Sequence, residues 1–166
     1  MMCAMDLKLS TTYDASPAEV FAIITDPSFR EAACQQTQAV SYDVSVTNSG
    51  SDTVVKVVRE MPTEQIPDFA KKFVGATITV VQTETWRAAA ADGSRTADVR
   101  GDVRGTPAGF TGTARITGEP GKTVHSVDLN VKVAVPLIGR KMEPLIAHAI
   151  KAALTTEQQI GQTWRS

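Results

Sequence analysis

The chain has little of what most reactive sites are built from. Its 166 residues include two histidines, His125 and His148, and two cysteines, Cys3 and Cys34. There is no CxxC and no Cys/His grouping at metal-ligand spacing, which excludes the common zinc sites and a disulfide framework. Such sparing cysteine use fits a reducing cytoplasm. No apolar run approaches the ~20 residues of a membrane span. The start, "MMCAMDLKLS", lacks the apolar stretch of a signal peptide, and Cys3 follows no hydrophobic run that would mark a lipid anchor. The formal net charge is −1 and the basic residues are scattered, so there is no electrostatic footprint for nucleic acid or an anionic membrane. A G-x-S-x-G elbow is missing. "GDVRGTPAG" does not lead a strand into a helix, so it is no phosphate cradle.

What is present is an ordinary globular balance, with 42% hydrophobic and 21% charged residues. The length fits one domain over 1–166, with residues 1–4 expected as a disordered tail ahead of Met5. "MDLKLSTTYD" (5–14) alternates like a strand. In "SPAEVFAIITD", Ser16, Pro17 and Glu19 fit the cap, first position and third position of a helix. Asp26-Pro27 repeats that signal, so "DPSFREAACQQ" predicts a second short helix. From Gln38 the period is two, giving strands at 38–47, 53–61, 76–89, 95–105, 109–118 and 122–135. "NSGSD", "ADGS", "TPAG" and "EPGK" punctuate them as hairpin turns. Residues 136–164 read as one long helix, with Pro144 as a kink or late start. The expected class is α+β, a seven-stranded antiparallel sheet covered on one face by that helix.

Strand parity assigns the inward side chains. They are His125, Leu129 and Val131 with their odd-numbered neighbours in the last strand, Val99 and Val103 among others in 95–105, and Phe110 and Ala114 in 109–118. The glycines and alanines of the latter two strands imply strong curvature, internal space, or both. At 100° per residue, Ile138, Met142, Leu145, Ile146, Ala149 and Ile150 form one helix face. His148 falls about 140° away on that geometry and is therefore a surface residue.

The order of elements, and "TTYDASPAEVFAIITDPSF" in particular, resembles the helix-grip fold of birch-pollen-allergen-like proteins, START lipid-transfer domains and polyketide cyclases. "REMP", "TETW" and "VAVPLIGRKMEPLI" resemble a bacterial family of unestablished function within that superfamily. The resemblance covers nearly the whole chain. It implies an apolar cavity between a curved sheet and the last helix, holding a lipid, isoprenoid or polyketide-like molecule. A minority of such proteins catalyse cyclisation, dehydration or hydrolysis there. The matched motifs are structural and carry over no catalytic residue.

The expected ligand-lining set is Trp86, Val99, Val103, Phe110, Ala114, Leu129, Val131, Met142, Leu145, Ile146 and Ala149. Acid–base chemistry would fall to His125, Glu84 or Arg59. If Trp86 points inward, Gln82 and Glu84 do too, and both then need partners. A bulge would turn them out. Arg59 either pairs with Glu84 or sits at a strand end in water. "PTEQIPDFAKKFVG" (62–75) is too long for a hairpin turn and carries Ile66, Phe69, Phe73 and Val74, which suit a movable cover or a fixed plug. Three functions follow: a carrier of a hydrophobic small molecule, an enzyme acting on one, and an interaction module with a filled core. None requires a metal or cofactor, nucleic acid, or integral membrane association.

Overall fold

The computed structural model describes residues 4–72 and 74–164. Strand β1 (Ala4–Tyr13) is followed by helices α1 (Pro17–Ile24) and α2 (Pro27–Gln36). Ser16 Oγ accepts from the Glu19 N–H at 3.2 Å, and Asp26 Oδ1 accepts from the Ser28 N–H at 2.9 Å. Each cap satisfies a helix-end donor, and the proline behind it presets the first turn. Ala4 already pairs with Lys132, so the strand starts inside the expected tail.

Six more strands complete the sheet: β2 (Ser41–Ser49), β3 (Asp52–Pro62), β4 (Thr77–Trp86), β5 (Arg95–Val103), β6 (Ala108–Glu119) and β7 (Lys122–Val133). Their order is β1-β7-β6-β5-β4-β3-β2, antiparallel throughout. The short helix α3 (Asp68–Lys71) lies between β3 and β4, and α4 (Gly139–Gln162) closes the chain. This is the helix-grip architecture, α+β.

Parity holds along the sheet. Val127, Leu129, Val131 and Val133 are buried while Asp128 and Lys132 are exposed. Ala97, Val99 and Gly101 are buried between exposed Asp98, Arg100 and Asp102. The Phe110 ring lies where a Cβ on Gly101 would stand, and the Asp128 carbonyl lies where one on Gly112 would stand. At these two positions the small residues admit a ring and a neighbouring strand, so the room is filled.

Helix α4 corrects the sequence reading. Its buried residues are Gly139, Glu143, Ala147, Glu157, Gln158 and Gly161. Leu145 is 42% exposed, and Ala149 is exposed as well. The inward face is therefore turned by about one residue, ~100°, from the most apolar face. The reason is polar anchorage at both ends. Glu143 Oε2 accepts from the Val133 N–H at 3.2 Å, and Glu157 faces two arginines. Hydrophobic periodicity cannot register an inward acid that has a partner waiting. His148 remains exposed on either reading, and α4 begins five residues before Pro144.

The rotation has a direct test. Ala147→Asp should cost about 3 kcal/mol or more through burial of an unpaired charge. Thermal denaturation should show a fall of roughly 6–12 °C for a chain of this size. Ala149→Asp and His148→Ala should leave the midpoint within about 2 °C, as exposed substitutions do.

Candidate functional site

The inner face has a polar region and an apolar one. The polar region is organised by Arg30, which the Asp26-Pro27 cap starts on its inward course from α2. Its Nε donates to the Ile24 carbonyl at 2.8 Å, and its terminal nitrogens donate to both oxygens of Glu84 at 2.9 and 2.8 Å. Glu84 also accepts from Gln82 Nε2 at 2.8 Å and Trp86 Nε1 at 2.9 Å. Gln82, Glu84 and Trp86 thus share one face of β4, which closes the open question of register without a bulge.

Glu157 brings α4 into this group, 3.5 Å from an Arg30 nitrogen and 3.8 Å from one of Arg59. Arg30, Arg59, Glu84 and Glu157 are all buried. The pairing of Arg59 with Glu84 does not occur, nor does Arg59 sit in water. Across the β3–β4 ladder Arg59 faces Val80 and Glu84 faces Val55, which separates the two by four residues or ~13 Å of strand. Among the described residues, the buried side-chain atoms Arg59 Nε, Gln158 Nε2 and His125 Nδ1 have no hydrogen-bond partner.

Protonation follows from these surroundings. Burial pushes the Glu84 carboxyl up, but Arg30 and the hydrogen bonds outweigh it, and the net shift is downward. Burial pushes His125 down to about 4, with Arg30 acting the same way and Glu84 opposing. Burial, aided by Glu157, pushes Tyr13 up to about 12. Burial also raises the Cys34 thiol, against the opposing Arg59. Near neutral pH the imidazole is uncharged, the phenol and thiol keep their protons, and Glu84 is an ion with its oxygens occupied. None of these four groups is poised to exchange a proton near pH 7.

The apolar region is read off the register. Arg59, Val80, Val103, Ala108 and Val133 form one row across β3 to β7. Val133 is buried, but Val80, Val103 and Ala108 are only half-buried, as are Ile78 and Met61 on the next row. Two rows further in, Val55, Val99 and Leu129 are buried beside Glu84. Gly139 of α4 touches the Val133 carbonyl, and Lys141 Nζ lies 5.8 Å from the Phe69 ring centre. The first turns of α4 therefore span from β7 to the β3–β4 connection, over the half-buried row.

Trp86, Val99, Phe110, Ala114, Leu129 and Val131 belong to the closed core, whereas Val103, Met142 and Ile146 are half-buried. Leu145 and Ala149 lie outside the interior, as the helix rotation requires. In the connection, Ile66 and Val74 are half-buried and Phe69 is 38% exposed. Phe73 lies outside the described residues. Arg30, Glu157 and Gln158 escaped the sequence reading. Their one signal was position: Arg30 sits among buried Phe29, Ala33 and Cys34 on α2.

Two outcomes test this region. Arg30→Met should cost roughly 3–5 kcal/mol because it strands the Glu84 charge, while Arg30→Met with Glu84→Met should recover most of the loss. Denaturant titration of both variants measures the difference. His125 is held below its ordinary 6.5, so the unfolded chain binds the extra proton first and stability falls as pH drops from about 6.5 to about 4. His125→Phe should flatten that slope in denaturant titrations across the window.

An uncharacterized protein of Mycobacterium tuberculosis, Rv0481c, is 25% identical over 164 residues, covering 94% of each chain. Among solved structures, a STAR-related lipid transfer protein fragment from Xanthomonas axonopodis superposes with a TM-score of 0.61 at 10% identity, covering 95% of this chain and 86% of that one. Norcoclaurine synthase from Thalictrum flavum gives 0.54 at 9% identity, covering 98% and 89%. At such identities these two likenesses speak for the fold, which is the one "TTYDASPAEVFAIITDPSF" led us to expect. Among the described residues no helix is long and apolar enough to cross a membrane. A family match spans residues 8–164, and the chain belongs to that family, described as a protein of unknown function (DUF2505).

Proposed function

We propose that the chain binds a hydrophobic small molecule, of lipid, isoprenoid or polyketide-like class, between the inner sheet face and the first half of α4. The observation that carries this reading is the half-buried apolar row. Met61, Ile78, Val80 and Val103 point inward, yet they stay partly exposed, whereas Val55, Val57, Val99 and Leu129 further along the same face are buried. Met142, Ile146 and Ile150 supply half-buried apolar surface on α4. Apolar area left partly wet on a concave face gains free energy when a ligand covers it, about 25 cal/mol per Å². The lipid transfer neighbour is consistent with this use of the fold.

The enzyme alternative draws on the nearness of His125 to Glu84 on the inner face, with Arg59 two rows away, and on the synthase neighbour. Against it stands the absence of a proton donor or acceptor tuned near neutrality among Tyr13, Cys34, Glu84 and His125. Carriage is the stronger reading. The β3–β4 connection, with Phe69 at its surface, serves as the cover of the site.

Native mass spectrometry of protein purified from cells should show a non-covalent added mass that denaturation removes. Titration with the apolar dye N-phenyl-1-naphthylamine should give saturable fluorescence. Val103→Glu should weaken that binding roughly tenfold or more, because a ligand would have to share its apolar site with a charge. Leu137→Glu, at a position 98% exposed, should leave it unchanged. Absence of saturable binding would end the proposal. Phe69→Ala should speed both uptake and release of the dye in stopped-flow mixing, with a melting shift under about 3 °C, since the ring is partly exposed.

A further inference from the structure

We infer that the end of the molecule where β7 runs into α4 docks on an anionic phospholipid surface, with Leu137 and Phe69 entering the acyl region and Lys71, Arg104 and Lys141 meeting the headgroups. The inference goes beyond the binding reading above and does not depend on it.

The position of the exposed apolar side chains carries it. Among the described residues the large ones that are exposed are Met5, Val40, Phe69, Leu137 and Leu145. All of them stand at one end of the sheet. That end is made by the connections 63–76 and 104–107 and by residues 134–138 ahead of α4, and backbone hydrogen bonds tie it together. The Arg104 N–H donates to the Thr79 carbonyl at 2.9 Å, and the Ala134 N–H to the Pro107 carbonyl at 2.8 Å. Val40 donates to the Glu60 carbonyl at 2.8 Å, and Met5 pairs with Val131, so both flank the same end. Lys141 lies over the Phe69 ring, and Leu145 follows it one turn on along the same face of α4. The turns of the opposite end, 50–51, 87–94 and 120–121, expose no large apolar side chain among the described residues. Leu137 is the extreme case, 98% exposed at a φ of 71°, in the left-handed region where leucine is strained. Strain and apolar exposure both oppose that conformation in water, and an apolar phase removes the second cost.

Shape and charge select the occupant. These apolar side chains come from separate segments, β1, the start of β2, α3, the β7–α4 connection and α4. A rigid partner would have to match each of them in shape, whereas a fluid bilayer needs no such match. Charge then favours an anionic surface. Residues 38–40, 63–76, 104–107 and 134–141 carry Lys71, Lys72, Arg104, Arg140 and Lys141 against Glu64 and Asp68, a net of +3 in a chain whose net is −1. Dispersed along the sequence, these cations are gathered by the fold around the exposed apolar side chains. Cations beside apolar side chains are what an anionic leaflet attracts and holds. Val103, Ala108 and Val133 of the half-buried row are the last paired residues before this end, so docking would bring the proposed ligand site to the lipid.

Co-sedimentation with sucrose-loaded vesicles tests the inference, one set of equal parts phosphatidylglycerol and phosphatidylcholine and one of phosphatidylcholine alone. The protein should bind the anionic set at a lipid concentration lower by roughly tenfold or more, the scale of a few cations at a charged surface. Raising NaCl from about 0.05 M to about 0.5 M should remove most of that difference. Leu137→Glu should weaken binding to both sets roughly tenfold or more. Lys141→Glu should weaken it on the anionic set, whereas Lys122→Glu, the same charge change at the opposite end, should leave it within about twofold. All three positions are exposed, so the melting midpoints should stay within about 2 °C and show each variant folded. Equal binding by Leu137→Glu and the wild type, or by Lys141→Glu and Lys122→Glu, would overturn the inference. So would a wild-type protein that ignores both vesicle sets, or one that instead forms a dimer dispersed by Leu137→Glu. Saturable dye binding without vesicle binding would overturn this inference and leave hydrophobic binding standing. Vesicle binding by a protein that takes up no dye would do the reverse.

Discussion

The paired hydrogen bonds between Arg30 and Glu84 are the constraint on which the interior depends. They join a helix that begins at residue 27 to a strand that ends at residue 86, through groups that cannot be left alone in a dry place. A buried carboxylate without its cation costs several kcal/mol, so the position of α2 over β4 is fixed by electrostatics as much as by packing. Glu157 extends the constraint to α4, and Arg59 returns it to β3. Three layers of the fold thus meet at one neutral set of four charges.

Such a set is an uneven bargain in stability. Replacing a buried ion pair by apolar residues of like volume is often neutral or stabilising, so these charges are poor evidence of a protein built for maximal stability. What they supply is position. An apolar contact tolerates sliding by a fraction of a turn, whereas a bidentate guanidinium–carboxylate pair does so only by losing a hydrogen bond. The same reasoning explains why the neighbouring titratable groups are quiet. Tyr13, Cys34 and His125 lie close enough to feel the quartet, but burial dominates each of them and holds each in its uncharged form.

The sheet was almost wholly legible from period-two alternation, since a one-residue slip would have turned Val127, Val131 and Val133 of β7 outward. Helix starts were legible too, because Ser16-Pro17 and Asp26-Pro27 are local chemistry with a local result. The rotation of α4 was not. Its apolar moment points towards Met142, Leu145 and Ala149, while its anchors, Glu143 and Glu157, lie one residue round. Which side wins depends on Val133, Arg30 and Arg59, all distant in sequence, and on nothing that a helical wheel contains. The site was half legible for the same reason. Glu84 and Arg59 were visible as inward polar residues of strands, but their true partners sit on helices, where charge on the buried side looks like charge on the wet one.

The helix rotation also accounts for the apolar surface that a ligand could use. At its start α4 is held by Gly139 against the Val133 carbonyl and by Glu143 on the Val133 N–H. At its end Gly161 lies against Tyr13, and Glu157 is held by the two arginines. Between these anchors the inward side chains are Ala147, which is small, and the half-buried Ile150 and Leu154. A helix free to move would settle onto the sheet until Val80, Val103 and Ile78 were covered, because covering apolar area is favourable. One fixed at both ends by groups that need their partners cannot do so. The open row persists because the polar anchors stop the collapse that the apolar residues would otherwise drive. The charged quartet and the apolar surface are in that sense a single device, the first keeping the second available.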